Sequence, residues 1–112
     1  MEKIEAIFKP YKLDEVKENL VVMGIHGATV TQVRGHDMQS AKEKAYRGSP
    51  YGVEFLPMIR LEVVVTAEQK ATAIAAILSV AKTGRAGDGR IFVSPLDDAI
   101  RIRTEEHGSK AL

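Results

Sequence analysis

Thr83–Val93, TGRAGDGRIFV, carries the residue types best suited to chemistry in this chain. Glycines stand at 84, 87 and 89, Asp88 lies between the last two, and Arg85 and Arg90 flank them. Glycine tolerates positive φ and lets backbone come close to a ligand. Successive N–H groups in such a turn converge into an anion-holding nest, and two guanidiniums add charge in the fork geometry that suits phosphate. That is the chemistry of a nucleotide-phosphate loop. The plainer reading is a helix cap at Gly84, after Lys82, running into a Gly-Asp-Gly turn. On spacing alone the plainer reading is the better one, because neither G-x-x-x-x-G-K-[ST] nor G-x-G-x-x-G is present.

A second basic pair lies in Ala99–Thr104, AIRIRT. Its alternation predicts a short last strand with Ile100 and Ile102 inward and Arg101 and Arg103 together on the other face. Residues two apart on a strand are separated by about 7 Å, so these guanidiniums could grip successive phosphates. A solvated basic edge that discourages edge-to-edge pairing is the simpler account of this segment taken alone. His36, Asp37 and Met38 are adjacent and all can ligate metal. No second cluster at ligand spacing accompanies them, which favours polar residues on a loop. His26 and His107 read as surface histidines. No Ser/His/Asp or Cys/His arrangement offers an activated nucleophile.

The elements that must position these groups follow from periodicity. Lys3–Lys9 alternates, with Ile4, Ala6 and Phe8 on one face, and Pro10 ends the strand. From Leu13 the apolar residues fall at 13, 16, 20 and 23, a helical spacing with Asp14 and Glu15 in the first turn. Gly24 and Gly27 stop that helix, and the β-branched Ala28–Arg34 reads as a second strand. Gly35 to Pro57 carries no sustained period. A loop of this length in a compact domain is usually functional or disordered; with Tyr46 and Tyr51 in it, it reads as a partner-docking arm.

Ile59–Thr66 is the cleanest strand, with Ile59, Leu61, Val63 and Val65 on one face. Thr66-Ala67-Glu68-Gln69 is a capping box. The helix it starts places Ala71, Ile74, Ala75, Leu78 and Ala81 along one stripe, with Ile77 beside it. Ile91–Ser94 is a further strand, and residues from about 104 to 112 form a polar tail ordered on binding. The order predicts an α+β fold of the ferredoxin-like βαββαβ plan, with a long loop at about 36–56 between strands 2 and 3. That plan hosts enzymes, RNA binders and metal carriers, so it names no function.

With 112 residues the chain reads as a single domain, 1–112, burying roughly 65% of its unfolded surface if alone, so oligomerisation would help. A net charge of +1 argues against a nucleic-acid or anionic-membrane surface. Without cysteine there is no disulfide framework, zinc-thiolate site or thiol nucleophile. The opening MEKIEAIFKP lacks an apolar h-region and no apolar run reaches membrane-span length, so a cytoplasmic protein is expected.

Four separated segments, IEAIFKPYKLDEVKENL, YRGSPY at 46–51, TGRAGDGRIFV at 83–93 and IRIRT at 100–104, resemble the PII signal-transduction proteins of nitrogen regulation at matching positions. The resemblance spans essentially the whole chain, the glycine loop being its most specific part, and it outweighs the plainer readings above. It implies a homotrimer with ATP or ADP in clefts between neighbours. Gly87, Asp88, Gly89, Arg90, Arg101 and Arg103 match the phosphate-holding positions, and Thr29, Glu62 and Val64 match positions around adenine and ribose. Gln39 matches a residue that helps hold Mg²⁺ and 2-oxoglutarate. The resemblance further implies that bound nucleotide sets the conformation of the long loop, which docks on a transporter, signalling kinase or metabolic enzyme. Tyr51 matches a residue uridylylated in some members and Ser49 one phosphorylated in others; either change adds negative charge at the loop.

Four positions depart from the family pattern. Met58 stands where a lysine usually pairs with the oxoglutarate carboxylate, Asp37 and Met38 replace a glycine and an arginine, and Pro50 precedes Tyr51. Losing a cation and gaining an anion near a carboxylate ligand forfeits at most roughly 4 kcal/mol per close pair at an effective dielectric near 20. The sequence therefore predicts a nucleotide site with weakened 2-oxoglutarate sensing, in a regulator and not an enzyme. Two other readings stand beside it. One is a PII-like regulator of another process such as metal transport. The other is a small phosphohydrolase of the same fold, against which the absence of a Gly-rich arginine loop after the first strand counts. RNA binding would need more stacking aromatics than Phe92 supplies on Ile91-Phe92-Val93.

Overall fold

The computed structural model of the chain describes residues 1–36 and 55–112. The elements run β1 (Glu2–Phe8), α1 (Leu13–Val22), β2 (Thr29–Gly35), β3 (Leu56–Val65), α2 (Lys70–Ala81) and β4 (Arg90–Pro95). Short 3-10 turns occupy Pro10–Lys12 and Gly108–Ala111. The strands form one sheet in the order β2-β3-β1-β4, each neighbour antiparallel. This is the ferredoxin-like βαββαβ arrangement.

Strand alternation decides which face is covered. Ile4, Ala6 and Phe8 of β1 and Ile59, Leu61, Val63 and Val65 of β3 are all buried against Val16 and Leu20 of α1 and Ala73, Ala76 and Ile77 of α2. Burying each large side chain of this set is worth about 2 kcal/mol. Asn19 fixes how the helices meet: its Nδ2 donates to Ala76 O at 2.8 Å and to Ser79 Oγ at 2.9 Å.

Four details differ from the periodicity. The buried stripe of α2 is Ala73, Ala76 and Ile77, while Ala71, Ala75 and Leu78 are exposed. Apolar residues ring this helix, so their spacing does not choose a face; the small Ala73 and Ala76 let α2 approach α1, and Asn19 sets the rotation. Thr66 N donates to Gln69 Oε1 at 3.1 Å, one arm of the capping box, but Thr66–Gln69 is a turn and the helix starts at Lys70. β3 starts at Leu56, ahead of the expected Ile59, and includes Pro57, which sits opposite Arg34 of β2 and beyond the end of β1, whose pairing begins at Phe8–Ile59. Proline is tolerated there because β3 has a partner on one side only.

The fourth difference matters most. Ala99–Thr104 is not a strand: only Ile100 bridges, to His107, and the chain reverses through 102–104. Ile100 and Ile102, expected inward, are 56% and 96% exposed. The segment joins neither edge of the sheet; Arg101 N bonds to Glu106 O at 2.9 Å instead. The tail accordingly folds back on residues 98–101.

Candidate functional site

The glycine loop joins α2 to β4 beside the C-terminal end of β1. Asp88 organises it. Its carboxylate accepts from Thr83 N at 2.8 Å, from Gly84 N at 2.9 Å and from the Thr83 hydroxyl, and Lys9 Nζ lies 3.3 Å away. Partial burial alone would push its pKa up; the Thr83 hydroxyl and amide, Gly84 N–H and Lys9 outweigh this and hold it at about 2, below the ordinary 3.8. Asp88 is therefore an ionised brace within the loop, turned to its own chain's donors.

With Asp88 so engaged, the remaining loop groups point elsewhere. Among the described residues no hydrogen bond takes up the N–H of Ala86 or Gly87. Gly87 and Gly89 adopt φ of +86° and +107°. At Gly89 a Cβ would stand 1.7 Å from the Ile7 carbonyl oxygen, so only glycine lets the loop lie on β1. Gly87, Gly89 and Arg90 line a cavity of about 180 Å³ together with Ile7, Gly35, His36, Leu56, Met58 and Phe92. Its walls are largely apolar, and donors gather on the loop side. His36 and Phe55 meet edge to face at 4.8 Å, bringing together the chain on either side of residues 37–54.

Thr29 and Glu62 are directly opposed on β2 and β3, on the sheet face that the helices leave open. Glu62 is held there by Lys3 at 3.5 Å and Arg60 at 3.3 Å, and Arg60 also approaches Glu5 at 3.8 Å. Val64 lies on the same face, opposite Lys3. Thus Thr29, Glu62 and Val64 form one group, and Gly87, Asp88, Gly89 and Arg90 another.

Arg101 and Arg103 join neither group: among the described residues no hydrogen bond or ion pair links them to the glycine loop. Gln39, Asp37, Met38, Ser49, Tyr46 and Tyr51 lie outside the described residues. Sequence reasoning missed the brace formed by Lys9 and Thr83. The Thr-x-x-x-x-Asp spacing was readable, but nothing local says that the loop folds back to meet β1. It also missed His107, whose Nδ1 lies 2.7 Å from Asp98 Oδ2; that contact, with the Ala99 and Gly108 amides, lowers the Asp98 pKa. Among the described residues no cluster of metal-ligating side chains occurs, and no helix is long and apolar enough to cross a membrane.

The comparisons agree with this architecture. A family model described as Nitrogen regulatory protein P-II matches residues 1–106. The chain is 49% identical to the nitrogen regulatory protein P-II of Cereibacter sphaeroides and 51% identical to that of Azospirillum brasilense, each over 112 residues and 100% of both chains. It is similar to a crystal structure of Arabidopsis thaliana PII bound to citrate, with a TM-score of 0.80 and 38% identity over 98% of this chain and 87% of that one. PII proteins are signal-transduction regulators and not enzymes. On fold, length and sequence together, this chain belongs to the nitrogen regulatory protein P-II family.

Proposed function

We propose that the chain is a nucleotide-responsive regulator, binding ATP or ADP at the glycine loop and acting on a partner protein through residues 36–56. The observation that carries this reading is the loop itself. Asp88 is tied to Thr83, Gly84 and Lys9, which leaves the Ala86 and Gly87 amides and the Arg90 guanidinium for an anion. An apolar wall of Ile7, Met58 and Phe92 faces them and keeps water from the anion's other side. The cavity that Gly87, Gly89 and Arg90 share with Met58 and Phe92 holds about 180 Å³, below the roughly 300 Å³ at which small-molecule pockets begin, and in this reading a second copy completes it.

A homotrimer supplies that copy. The open sheet face, with Phe92, Ile7 and the Lys3–Glu5–Arg60–Glu62 ion pairs, is the surface for assembly, and Arg101 and Arg103, remote from the loop within one chain, reach a neighbour's loop across a cleft. In this reading Thr29, Glu62 and Val64 take adenine and ribose, Gln39 with Mg²⁺ the phosphate end, and Tyr51 or Ser49 accepts modification. Met58 beside Gly87 and Arg90 places a thioether where a carboxylate ligand needs a cation, which supports weakened 2-oxoglutarate sensing. Partners are a membrane transporter or a metabolic or regulatory enzyme.

Equilibrium dialysis against ATP and ADP tests the assignment. One nucleotide per chain is expected, with loss of at least tenfold in affinity, about 1.4 kcal/mol, for Arg90→Ala. Undiminished binding by that variant contradicts the placement.

A further inference from the structure

The C-terminal segment closes on itself. Asp98 Oδ1 accepts from Ala99 N at 2.9 Å and Gly108 N at 3.0 Å, Asp98 Oδ2 meets His107 Nδ1 at 2.7 Å, and Gly108 N also reaches Ala99 O at 2.9 Å. Within this closure Arg101 N bonds to Glu106 O at 2.9 Å and Glu105 N to Arg101 O at 2.7 Å. Glu105 takes a φ of +59°, a left-handed conformation that persists in a non-glycine residue only where its surroundings hold it. The result is that two acceptors converge on one guanidinium. Arg101 Nη2 donates to Leu112 O at 2.9 Å, and Arg101 Nη1 lies 3.7 Å from Glu106 Oε1. Arg103, two residues on, makes no hydrogen bond or ion pair among the described residues.

We propose that residues 105–112 are an internal competitor for Arg101, and that Glu106 thereby sets the affinity of the phosphate site. The inference rests on the reading of Arg101 as a phosphate-binding residue. A guanidinium offers a flat fork of donors that carboxylate and phosphate engage in the same bidentate way, so occupancy by one excludes the other from those N–H groups. Glu106 is an anion held on the same loop, and the Asp98–His107–Gly108 contacts fix the loop so that Glu106 stays within reach. Bidentate phosphate binding at the Nη1–Nη2 edge therefore competes with the Leu112 O bond and with the nearby charge of Glu106. Arg103 carries no such load, so the two arginines of the IRIRT segment differ: one is held in reserve and one is available.

The test is calorimetric titration of the full chain with ATP for wild type, Glu106→Gln and Glu105→Gln. Both variants change charge equally, but only Glu106 touches the Arg101 guanidinium. Glu106→Gln is expected to bind ATP about threefold tighter, the scale of one partly exposed ion pair, with Glu105→Gln close to wild type. The Arg101 side-chain Nε resonance should move on Glu106→Gln substitution and move again with ATP. Equal tightening by both variants means bulk charge and overturns the proposal, as does unchanged or weaker binding by Glu106→Gln. If wild type binds no ATP, the nucleotide reading itself fails. If wild type binds but the Arg101 resonance is indifferent to ATP, only the role given to Arg101 and its competitor fails.

Discussion

Gly89 rests on the backbone of Ile7: a Cβ at position 89 would lie 1.7 Å from the Ile7 carbonyl oxygen and 2.7 Å from its carbon. The obstacle is the backbone of a central strand, which cannot move aside as a flexible side chain can. This contact seats the glycine loop on the sheet and brings Arg90 and Gly87 to the cavity.

Gly89→Ala therefore should destabilise the protein by about 3 kcal/mol or more, combining overlap with a φ of +107°. Gly84→Ala, at φ +84° with nothing within 4 Å of its added Cβ, should lose only about 1 kcal/mol. Urea denaturation of the two variants checks the contrast; equal losses would mean that the contact with Ile7 is not what demands glycine.

Asp88 makes the loop acid-sensitive. Its folded pKa of about 2 lies below the ordinary 3.8, so its contribution is fully present above that ordinary value and is lost as pH falls towards 2. Stability measured between pH 5 and 2 should fall less steeply in Asp88→Asn than in wild type, as expected for a carboxylate that titrates across roughly that window. Parallel profiles would remove Asp88 from its role as the brace.

Asn19→Ala should destabilise by about 1 kcal/mol through loss of the bonds to Ala76 O and Ser79 Oγ, leaving ATP affinity unchanged. Thermal unfolding and dialysis read the two effects separately. A change in affinity would show that the helix layer communicates with the loop.

Met58 should decide the response to oxoglutarate. In wild type, 2-oxoglutarate is expected to leave ATP affinity nearly unchanged, whereas Asp37→Gly with Met58→Lys should tighten ATP tenfold or more in its presence, about 1.4 kcal/mol of coupling. An unresponsive double variant would place the cause elsewhere than at these two positions.

What could be read from sequence divides along physical lines. Strands β1 and β3 were legible because each buries one face, so Ile4, Ala6 and Phe8 recur at every second position, with Ile7 the one apolar residue between them. The buried face of α2 was not, since alanines ring it and the choice was made by Asn19 on another helix. AIRIRT alternates as well as any strand here, yet alternation records only what a segment could bury, and Arg101–Glu106 pairing turned it back. At the site, the glycines and arginines were visible as types. The Thr83–Asp88 spacing was local and readable, but the Lys9–Asp88 contact was invisible, because it joins residues separated by most of the chain. The Thr29–Glu62 opposition was likewise set by strand register and not by any local motif.

The central claim is that the glycine loop binds nucleotide, and calorimetric titration of the purified protein with ATP, with and without Mg²⁺ and 2-oxoglutarate, tests it most directly. The account predicts saturable binding of one ATP per chain, with an affinity that 2-oxoglutarate shifts by less than about threefold, or 0.6 kcal/mol. Absence of ATP binding under all four conditions would contradict it.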